Sequence, residues 1–363
     1  MPSISTRFPE APSILHGYLC SMVELGVLRF FFEYGVFKAI PKTGISISDL
    51  AAETGVDAGL LERHANFLIA AEVLNSSQPG HIEHTSVSRY LKDPRSEIFF
   101  PYIFDSFMTP AARWPDYFRS HENKEPKTSS ASVFGFATGH PDKSFYEVMK
   151  LEPERVKSFN NAMALPLDDM PYTTGVYDFE WVGDYAKNDT ATPSRTCVVD
   201  IGGGKGQALK VILEDHPSIP ASSCIIEDQE GVVKQGTEEA SGVLAGVQRK
   251  IHNFFDEQPV QGALVYFIRR VLNDWPDEDC VQILSKVRSA CAPDSRVVLS
   301  ENLLPDEPSL TNSGIDLWMM NFGGKRRNAR MFEDLASRSG FKVTAVTKDE
   351  ATSMGVVEMM PAS

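Results

Sequence analysis

CVVDIGGGKGQ, at residues 197–207, is the stretch that decides the fold. Val198 and Val199 are typical of a short buried strand, and ALKVILEDH after the loop is typical of a helix. An acid and three alternate glycines give the spacing D-x-G-x-G-x-G: Asp200, Gly202, Gly204 and Gly206. Glycine permits a positive φ and a close approach of ligand to backbone, and the helix N-terminus offers unpaired N–H groups. The stretch predicts a nucleotide-type loop, although a tight strand–helix turn without a ligand would look the same.

Further strand-like segments follow the loop and alternate with helical ones: SCIIED at 223–228, ALVYFIRRVL at 263–272, RVVLSENLL at 296–304 and FKVTAVT at 341–347. SCIIED ends in Glu227 and Asp228, where an acid could hold two ribose hydroxyls. Alternating strands and helices predict an α/β fold, a doubly wound parallel sheet with its ligand at the carboxyl edge.

The ligand of this loop could be a dinucleotide or S-adenosylmethionine (SAM). The loop lies late in the chain, and an acid before the first glycine is unusual for a dinucleotide loop. Both features favour SAM.

The N-terminal region, residues 13–91, has a helical pattern with short breaks. Residues 44–74 are predicted to form two helices, the first capped by Ser46 or Ser48 and the second beginning at Asp57. HIEHTSVSRYL, at 81–91, is predicted to be a β-wing followed by a short helix. Two helices and a wing indicate a winged-helix arrangement, and the apolar residues 30–32 are predicted to be a packing or dimer surface.

DNA binding is the alternative for such a unit. The second helix has no cluster of Lys and Arg, which a groove-reading helix normally carries. The formal net charge of −14 also disfavours a phosphate backbone as partner. We therefore expect no nucleic acid partner.

The composition bounds the remaining classes. A length of 363 residues favours two domains. No apolar run reaches the ~20 residues that cross a bilayer, and no signal-peptide pattern is present, so we expect a cytoplasmic protein without membrane contact. Five scattered cysteines predict neither a disulfide framework nor a metal site.

Residues 110–135 and 183–196 are predicted to be polar connecting segments, and residues 142–170 are predicted to be helical.

Several segments together resemble the caffeate-type O-methyltransferase family of plants and fungi: GISISDLAAETG, HIEHTSVSRYL, VVDIGGGKGQ, HNFFDEQPVQGALVYFIRRVLNDWPDEDC, SENLLPD and DLWMMNFGGKRRN. The resemblance implies a winged-helix dimerisation domain at 1–110. It also implies linker helices and a Rossmann-like SAM-binding catalytic domain at 111–363, a homodimer, and an aromatic acceptor pocket.

The resemblance also assigns cofactor residues. It places four residues on SAM: Gly202, Asp228, Phe254 and Arg269. Asp200 would support the loop, and Asn253 stands where the family usually has an Asp near the adenine. Five side chains are expected to line the acceptor pocket: Phe159, Met163, Trp318, Met319 and Asn321. Trp318 and Met319 could equally be core residues.

The family's catalytic base is missing from this chain. The family has a His in a stretch like H-D-W-P-D, where this chain has NDWPD and Asn273, and an amide cannot take a proton near neutral pH. Glu301 keeps the family's first flanking acid, but Arg326 in GGKRRN replaces the second. Asp274 is expected to orient its neighbours, and Glu301 could anchor an arginine.

Two catalytic positions that changed together favour a converted site over drift in a methyltransferase whose acceptor is already acidic. A fungal branch of the family that resembles this chain comprises pericyclases, which guide dehydration and Diels–Alder, hetero-Diels–Alder or Alder-ene reactions of polyketide-type products. In that hypothesis SAM is a fixed, unconsumed charge, and Arg269, Arg270 or Arg326 with Asn273 stabilises negative charge on a substrate carbonyl.

Two alternatives remain: a SAM-dependent O-methyltransferase of a phenolic or enolic natural product, and an inactive SAM-binding regulatory subunit. His121 or His140 could supply an acid or base for dehydration, although a surface-loop role is the commoner one.

Overall fold

The computed structural model describes residues 12–163, 177–190, 194–349, 352 and 354–362. They form two compact units. The first comprises the described residues up to Thr109 and those of Glu152–Leu165, and the second comprises Pro110–Leu151 and the described residues after Pro166. Glu152–Leu165 thus groups with the N-terminal unit, whereas the sequence analysis placed all of 111–363 in one domain.

The first unit combines helices with a small antiparallel sheet. Its strands are β1 (Ile45–Ser46), β2 (Leu74–Asn75) and β3 (His81–His84), in the order β1-β3-β2. The helices of this part of the chain are Ile14–Glu33, Val36–Ala39, Ile47–Thr54, Ala58–Ala70, Ser86–Leu91, Pro94–Ala111 and Pro153–Met163. The predicted caps are confirmed, since the Ser46 and Asp57 side chains accept hydrogen bonds from the third residue of each helix.

The helix Ile14–Glu33 carries both core and exposed apolar residues. Phe31 is fully buried, and Phe30 and Phe32 pack against the same core, so residues 30–32 are a packing surface, the first of the two predicted roles. The exposed apolar side chains lie nearer the N-terminus: Ile14, Leu15, Tyr18, Leu19 and Met22. By length and composition alone, with a mean hydropathy of 1.3, this helix is also long and apolar enough to cross a membrane, which by itself is weak evidence for a membrane span.

The second unit is built on a seven-stranded sheet with the order β6-β5-β4-β7-β8-β10-β9. Its strands are β4 (Val198–Ile201), β5 (Cys224–Asp228), β6 (Gln248–Ile251), β7 (Val265–Arg269), β8 (Arg296–Asn302), β9 (Phe341–Lys348) and β10 (Met354–Pro361). Its longer helices are Glu180–Asn188, Gln207–Asp215, Glu230–Glu238, Asp277–Ala290, Leu310–Met320 and Ala329–Arg338. These elements confirm the α/β class.

The expectation of an all-parallel sheet is wrong at one edge. Strands β4 to β8 are parallel, but β10 runs antiparallel between β8 and β9. β10 follows β9 after a short connection, which antiparallel strands allow and parallel strands do not. Neither β10 nor β6 was predicted from the sequence, and β6 is an edge strand with exposed ends and polar residues.

The two predicted polar connections are partly helical. Trp114–Ser120 lies in the first, and Glu180–Asn188 begins before the second and covers its first six residues, 183–188. Val182 is fully buried and the Trp181 ring lies under the Arg296 guanidinium at 4.1 Å, so one apolar face suffices to hold the helix among many polar residues. The predicted helix over 142–170 becomes Phe145–Leu151 and Pro153–Met163, and its remainder lies outside the described residues.

Candidate active site

The glycine loop joins the end of β4 to the helix Gln207–Asp215. Gly202, Gly204 and Gly206 have φ values of 67°, 60° and 93°, which confirms the predicted need for glycine. A Cβ on Gly202 would lie 2.8 Å from a Val271 methyl, and one on Gly206 would lie 2.6 Å from Ile226. The backbone of this loop is therefore packed too closely for any side chain.

Asp228, the last residue of β5, braces the loop. Its Oδ2 accepts a hydrogen bond of 2.8 Å from the Gly204 N–H, and its Oδ1 accepts one of 2.7 Å from the Gln229 N–H. A carboxylate has about four lone-pair sites, so both oxygens can accept further hydrogen bonds. The acid can hold the loop and a ligand diol at once.

Asp200 lies beneath the loop with 1% of its surface exposed. Burial raises the pKa of this carboxyl to about 7, and the nearby Arg269 charge opposes the rise. Asp200 Oδ2 has no hydrogen-bond partner among the described residues, and a Cβ on Gly203 would lie 2.5 Å from the carboxyl. Asp200 therefore fills the space under the loop.

A cleft opens beside the loop. It is lined by Gly202, Asp228, Gln229, His252, Asn253, Phe254, Phe255 and Trp275. Four of these were predicted to bind the cofactor, so the fold brings them together. Trp275, which the sequence analysis did not single out, packs edge-on against Phe254 and Phe255 at 5.7 and 4.9 Å between ring centroids. A bare glycine backbone, an acid and an aromatic wall fit an adenosyl group.

Arg270 follows the last residue of β7, Arg269. It has a positive φ of 53°, which is costly for a residue with a side chain, and its N–H donates to the Ser300 carbonyl at 3.0 Å. Its buried Nε has no hydrogen-bond partner within the described chain. Arg270 acts electrostatically on the carboxyls of Asp274 and Glu301. The strained backbone holds a cation that can bind an anion.

Asn273 lies in the short turn Leu272–Asp274 after β7. Its Nδ2 donates to Asp274 Oδ1 at 3.0 Å and to the Arg270 carbonyl at 3.3 Å. Its own carbonyl accepts from the Lys325 N–H at 2.9 Å. Both predicted catalytic residues of this turn are thus neighbours of Arg270, and the amide is used to hold the turn.

Two carboxyls flank this turn. Glu301 is 1% exposed; its Oε1 accepts hydrogen bonds from the Val271 and Leu272 N–H groups, and its Oε2 has no described partner. Burial and then the Asp274 charge raise the pKa of Glu301 to about 7. Burial also raises the pKa of Asp274 to about 6, although Tyr146 and Arg270 favour its charged form. Tyr146 was not among the predicted site residues. It lies 128 positions before Asp274 in the chain.

Arg326, which the sequence suggested in place of the family's second acid, forms hydrogen bonds to the helix Leu310–Met320. It is 3% exposed, its N–H donates to Asp316 Oδ1 at 2.8 Å, and its Nη1 donates to Asn312 Oδ1 at 2.9 Å. Both partners lie on the helix Leu310–Met320, so these bonds direct the cation towards that helix.

Arg327, one residue later, was missed and holds the turn instead. Its fully buried guanidinium binds Asp277 and donates to the carbonyls of Leu272, Trp275 and Lys325 at 2.8 to 3.0 Å. A buried arginine can place its five donors in a fixed plane. In the sequence, only its position in GGKRRN could have pointed to this role.

The predicted pocket residues divide between the two units. Trp318 and Met319 lie on the helix Leu310–Met320, where the Trp318 ring packs against Phe322 at 5.8 Å. Phe159 belongs to the first unit, where it packs against Tyr102 at 6.1 Å. The side chain of Met163 lies outside the described residues.

Asn321 is fully buried, and its Oδ1 accepts a 2.7 Å hydrogen bond from Trp114 Nε1. Its Nδ2 has no partner within the described chain, so this amide could donate to a ligand carbonyl. His121, by contrast, is stacked on Tyr117 at 4.0 Å and bonded to its carbonyl. The backbone of His140 binds the turn at Gly135.

Comparison with known proteins shows which family this chain is similar to. The family described as the O-methyltransferase domain matches residues 188–342. The chain is 52% identical over 361 residues to methyltransferase fsa4 of Fusarium sp. (strain FN080326), covering 99% of each chain. OxaC, crystallised in complex with S-adenosylhomocysteine (SAH) and oxaline, is similar at 25% identity and a TM-score of 0.81, over 95% of this chain and 86% of that one. LepI in complex with SAM is similar at 22% identity and a TM-score of 0.75, over 94% and 87%, which shows a common fold.

Proposed function

Since the chain belongs to the O-methyltransferase family, we propose that it transfers a methyl group from SAM to a small natural-product acceptor that is itself acidic. The observation that carries this proposal is the pairing of a complete cofactor cleft with Asn273 at the position of the base. SAM, the cofactor of this family, supplies an electrophilic methyl group on a sulfonium. We place the reaction in the cytoplasm.

The cofactor would be held by residues of the glycine loop and the cleft. The backbone at Gly202, Gly204 and Gly206 would approach its aminoacyl part, and Asp228 would accept from its ribose hydroxyls. Phe254 and Asn253 would face the adenine, and Arg269 would stay beside Asp200 under the loop.

The acceptor must compensate for the missing imidazole. A positioned general base typically contributes ~10²–10⁴-fold, and the Asn273 amide cannot replace it. An enolised cyclic 1,3-dicarbonyl compound ionises far more readily than a phenol, so it needs no strong base. Arg270 would stabilise the resulting anion, since its guanidinium is partly buried and next to the turn. Methyl transfer to such an acceptor then depends on alignment and needs no more than a weak base.

The degree of identity to the similar proteins helps to choose between methyl transfer and pericyclic chemistry. The sequence alone favoured a pericyclase, but a protein 52% identical over nearly the whole chain is named a methyltransferase. The likeness to LepI, at 22% identity, speaks only to the fold. Methyl transfer is therefore the first candidate.

A pericyclase remains the second candidate because of Arg270. A cation whose buried Nε has no hydrogen-bond partner among the described residues, adjacent to the Asn273 turn, could also stabilise charge on the carbonyl of a polyene substrate. SAM would then be an unconsumed charge. In a regulatory subunit, the third possibility, the cleft would bind SAM without turnover.

Mass spectrometry separates these functions. The purified chain is incubated with SAM and an enolic acceptor, and the acceptor and cofactor products are quantified together. We expect a product heavier by one CH₂ group and one SAH per product. An isomerised or dehydrated product with intact SAM would establish the pericyclase instead, and binding of SAM with no product from any acceptor would favour the regulatory role.

A further inference from the structure

Asp274 and Tyr146 form a pair that the proposed function has not used. The Tyr146 hydroxyl donates to Asp274 Oδ2 at 3.0 Å, and Asn273 Nδ2 donates to Asp274 Oδ1 at 3.0 Å. The Tyr146 ring also stacks on Trp275 at 6.0 Å, and Trp275 lines the cofactor cleft. The carboxyl is therefore fixed on both oxygens, one residue from the wall of the cleft.

The pair remains within reach of a small molecule. Asp274 is half-buried and Tyr146 is 37% exposed, whereas the neighbouring carboxyl of Glu301 is almost completely buried. Glu301 is committed to the Val271 and Leu272 amides through its Oε1. Of the two acidic residues beside the turn, Asp274 is the one that keeps exposed surface.

The charged groups around Asp274 come from several elements. Tyr146 lies on the helix Phe145–Leu151, Arg270 follows β7, and Glu301 lies on β8. Arg327 binds the carbonyl of Leu272 in the same turn and acts electrostatically on Glu301. Two cations thus oppose two carboxyls at one end of the parallel strands.

We propose that Asp274 takes the proton of the acceptor hydroxyl during methyl transfer, and that Tyr146 is the positioning residue that aims its carboxylate. This inference rests on the proposed function. The acceptor O–H bond breaks and its proton passes to Asp274, while an oxygen lone pair forms the new bond to the methyl carbon. The carbon–sulfur bond breaks, its electron pair stays on sulfur, and SAH leaves. The proton on Asp274 then passes to water.

This base defines the acceptor class. The pKa of Asp274 is about 6, whereas a phenol has a pKa of about 10, so proton transfer from a phenol is unfavourable by ~10⁴ in the equilibrium constant. An enolised cyclic 1,3-dicarbonyl compound approaches the acidity of a carboxylic acid and can give its proton to such a group. Asp274 therefore selects enolic over phenolic acceptors.

The test compares Asp274→Asn and Tyr146→Phe in the full chain. Matched controls are Asp142→Asn and Tyr90→Phe, because both residues are exposed and lie outside the site. We measure kcat/KM for an enolic acceptor from pH 5 to 9, and melting temperatures confirm folding. A second readout needs no SAM: with SAH present, the ultraviolet spectrum of the bound acceptor reports its ionisation against pH.

Asp274→Asn should lower kcat/KM by ~10²-fold or more and abolish its fall at low pH. Tyr146→Phe should keep most activity at high pH but move the acidic limb to higher pH. The Tyr146 hydrogen bond lowers the pKa of Asp274, so its removal raises that pKa. The spectrum of the bound acceptor should change with the same variants, and both controls should match the wild type.

The inference is overturned if both variants keep the wild-type pH profile and acceptor spectrum while SAH still forms at the normal rate. That result would leave the proposed function intact. If neither the wild type nor any variant forms SAH with any acceptor, the proposed function itself fails.

Discussion

At the scale of single residues, the chemistry of the site depends on which side chain stands in the turn after β7. Asn273 could be read from the sequence because its position in NDWPD fixes its place relative to the family pattern. Tyr146 could not, since only the fold brings two residues 128 positions apart to 3.0 Å. Arg326 and Arg327 are adjacent cations in a loop, and hydrophobic periodicity cannot say which of them holds the turn after β7.

Glu301 makes the stability of the protein depend on pH. Its pKa in the folded chain is about 7, above the usual 4.5, so the folded state holds a proton that the unfolded state releases between these values. Stability should therefore fall as pH rises from 5 to 7.5, by about 3 kcal/mol at most from this group, and Asp274 acts in the same direction.

We expect Glu301→Gln to flatten this fall in urea unfolding curves, with exposed Glu307→Gln as the control. A variant that kept the full wild-type slope would show that Glu301 is ionised in the folded protein.

Arg327 should be essential to the turn. Arg327→Lys keeps the charge but cannot reach Asp277 and three carbonyls at once, so the free energy of unfolding should fall by ~3 kcal/mol or more. Methyl transfer should fall further than stability explains, because Asn273 and Asp274 lose their support. Arg330→Lys, on an exposed neighbour, should change neither. Equal melting temperatures for the two variants would refute the role given to Arg327.

At the scale of elements, the sequence predicts best where one local pattern suffices. The loop between β4 and its helix was predictable because three positive-φ glycines follow a buried apolar run. β6 was missed because an edge strand with exposed ends has little apolar signal. β10 was missed because its strand conformation depends on pairing with β8 and β9, and the residues of β10 alone do not show that pairing.

The glycine loop gives a prediction at this scale. Gly206→Ala should lower the free energy of unfolding by ~2–4 kcal/mol and weaken SAH binding, because φ is 93° and the new Cβ would meet Ile226 at 2.6 Å. Gly231→Ala is the control, since it lies in a helix with open space around its Cα and should stabilise by ~0.5–1 kcal/mol. Calorimetric titration with SAH measures both, and unchanged affinity in Gly206→Ala would contradict the loop's role.

At the scale of the whole molecule, the helix Ile14–Glu33 has an apolar face that the described residues leave exposed. Five large apolar side chains there are 50–78% exposed, more than a few scattered residues would give: Ile14, Leu15, Tyr18, Leu19 and Met22. We propose that this face docks a second copy of the chain. The resemblance predicted a homodimer through residues 1–110, and the apolar residues 30–32, predicted to be a packing or dimer surface, pack against the core.

Light scattering tests that proposal. The wild type should be a dimer, and Leu15→Glu with Leu19→Glu should give a folded monomer, because two charges cannot be buried in an apolar interface. Leu310→Glu, on another exposed leucine, should leave the dimer intact. A wild-type monomer at micromolar concentration would contradict the proposal, and membrane association of the wild type would point to the other use of this helix.

The central claim is that an amide at position 273 restricts methyl transfer to acidic acceptors. The decisive measurement is kcat/KM for SAH formation with a series of enols and phenols of graded pKa, using the wild type, Asn273→His, and Asn273→His with Arg326→Glu. We predict that wild-type activity falls at least ~100-fold from enols to phenols, and that the substitutions raise phenol methylation ~10-fold or more. Equal wild-type activity on phenols and enols, or no gain from the restored base, would contradict the claim.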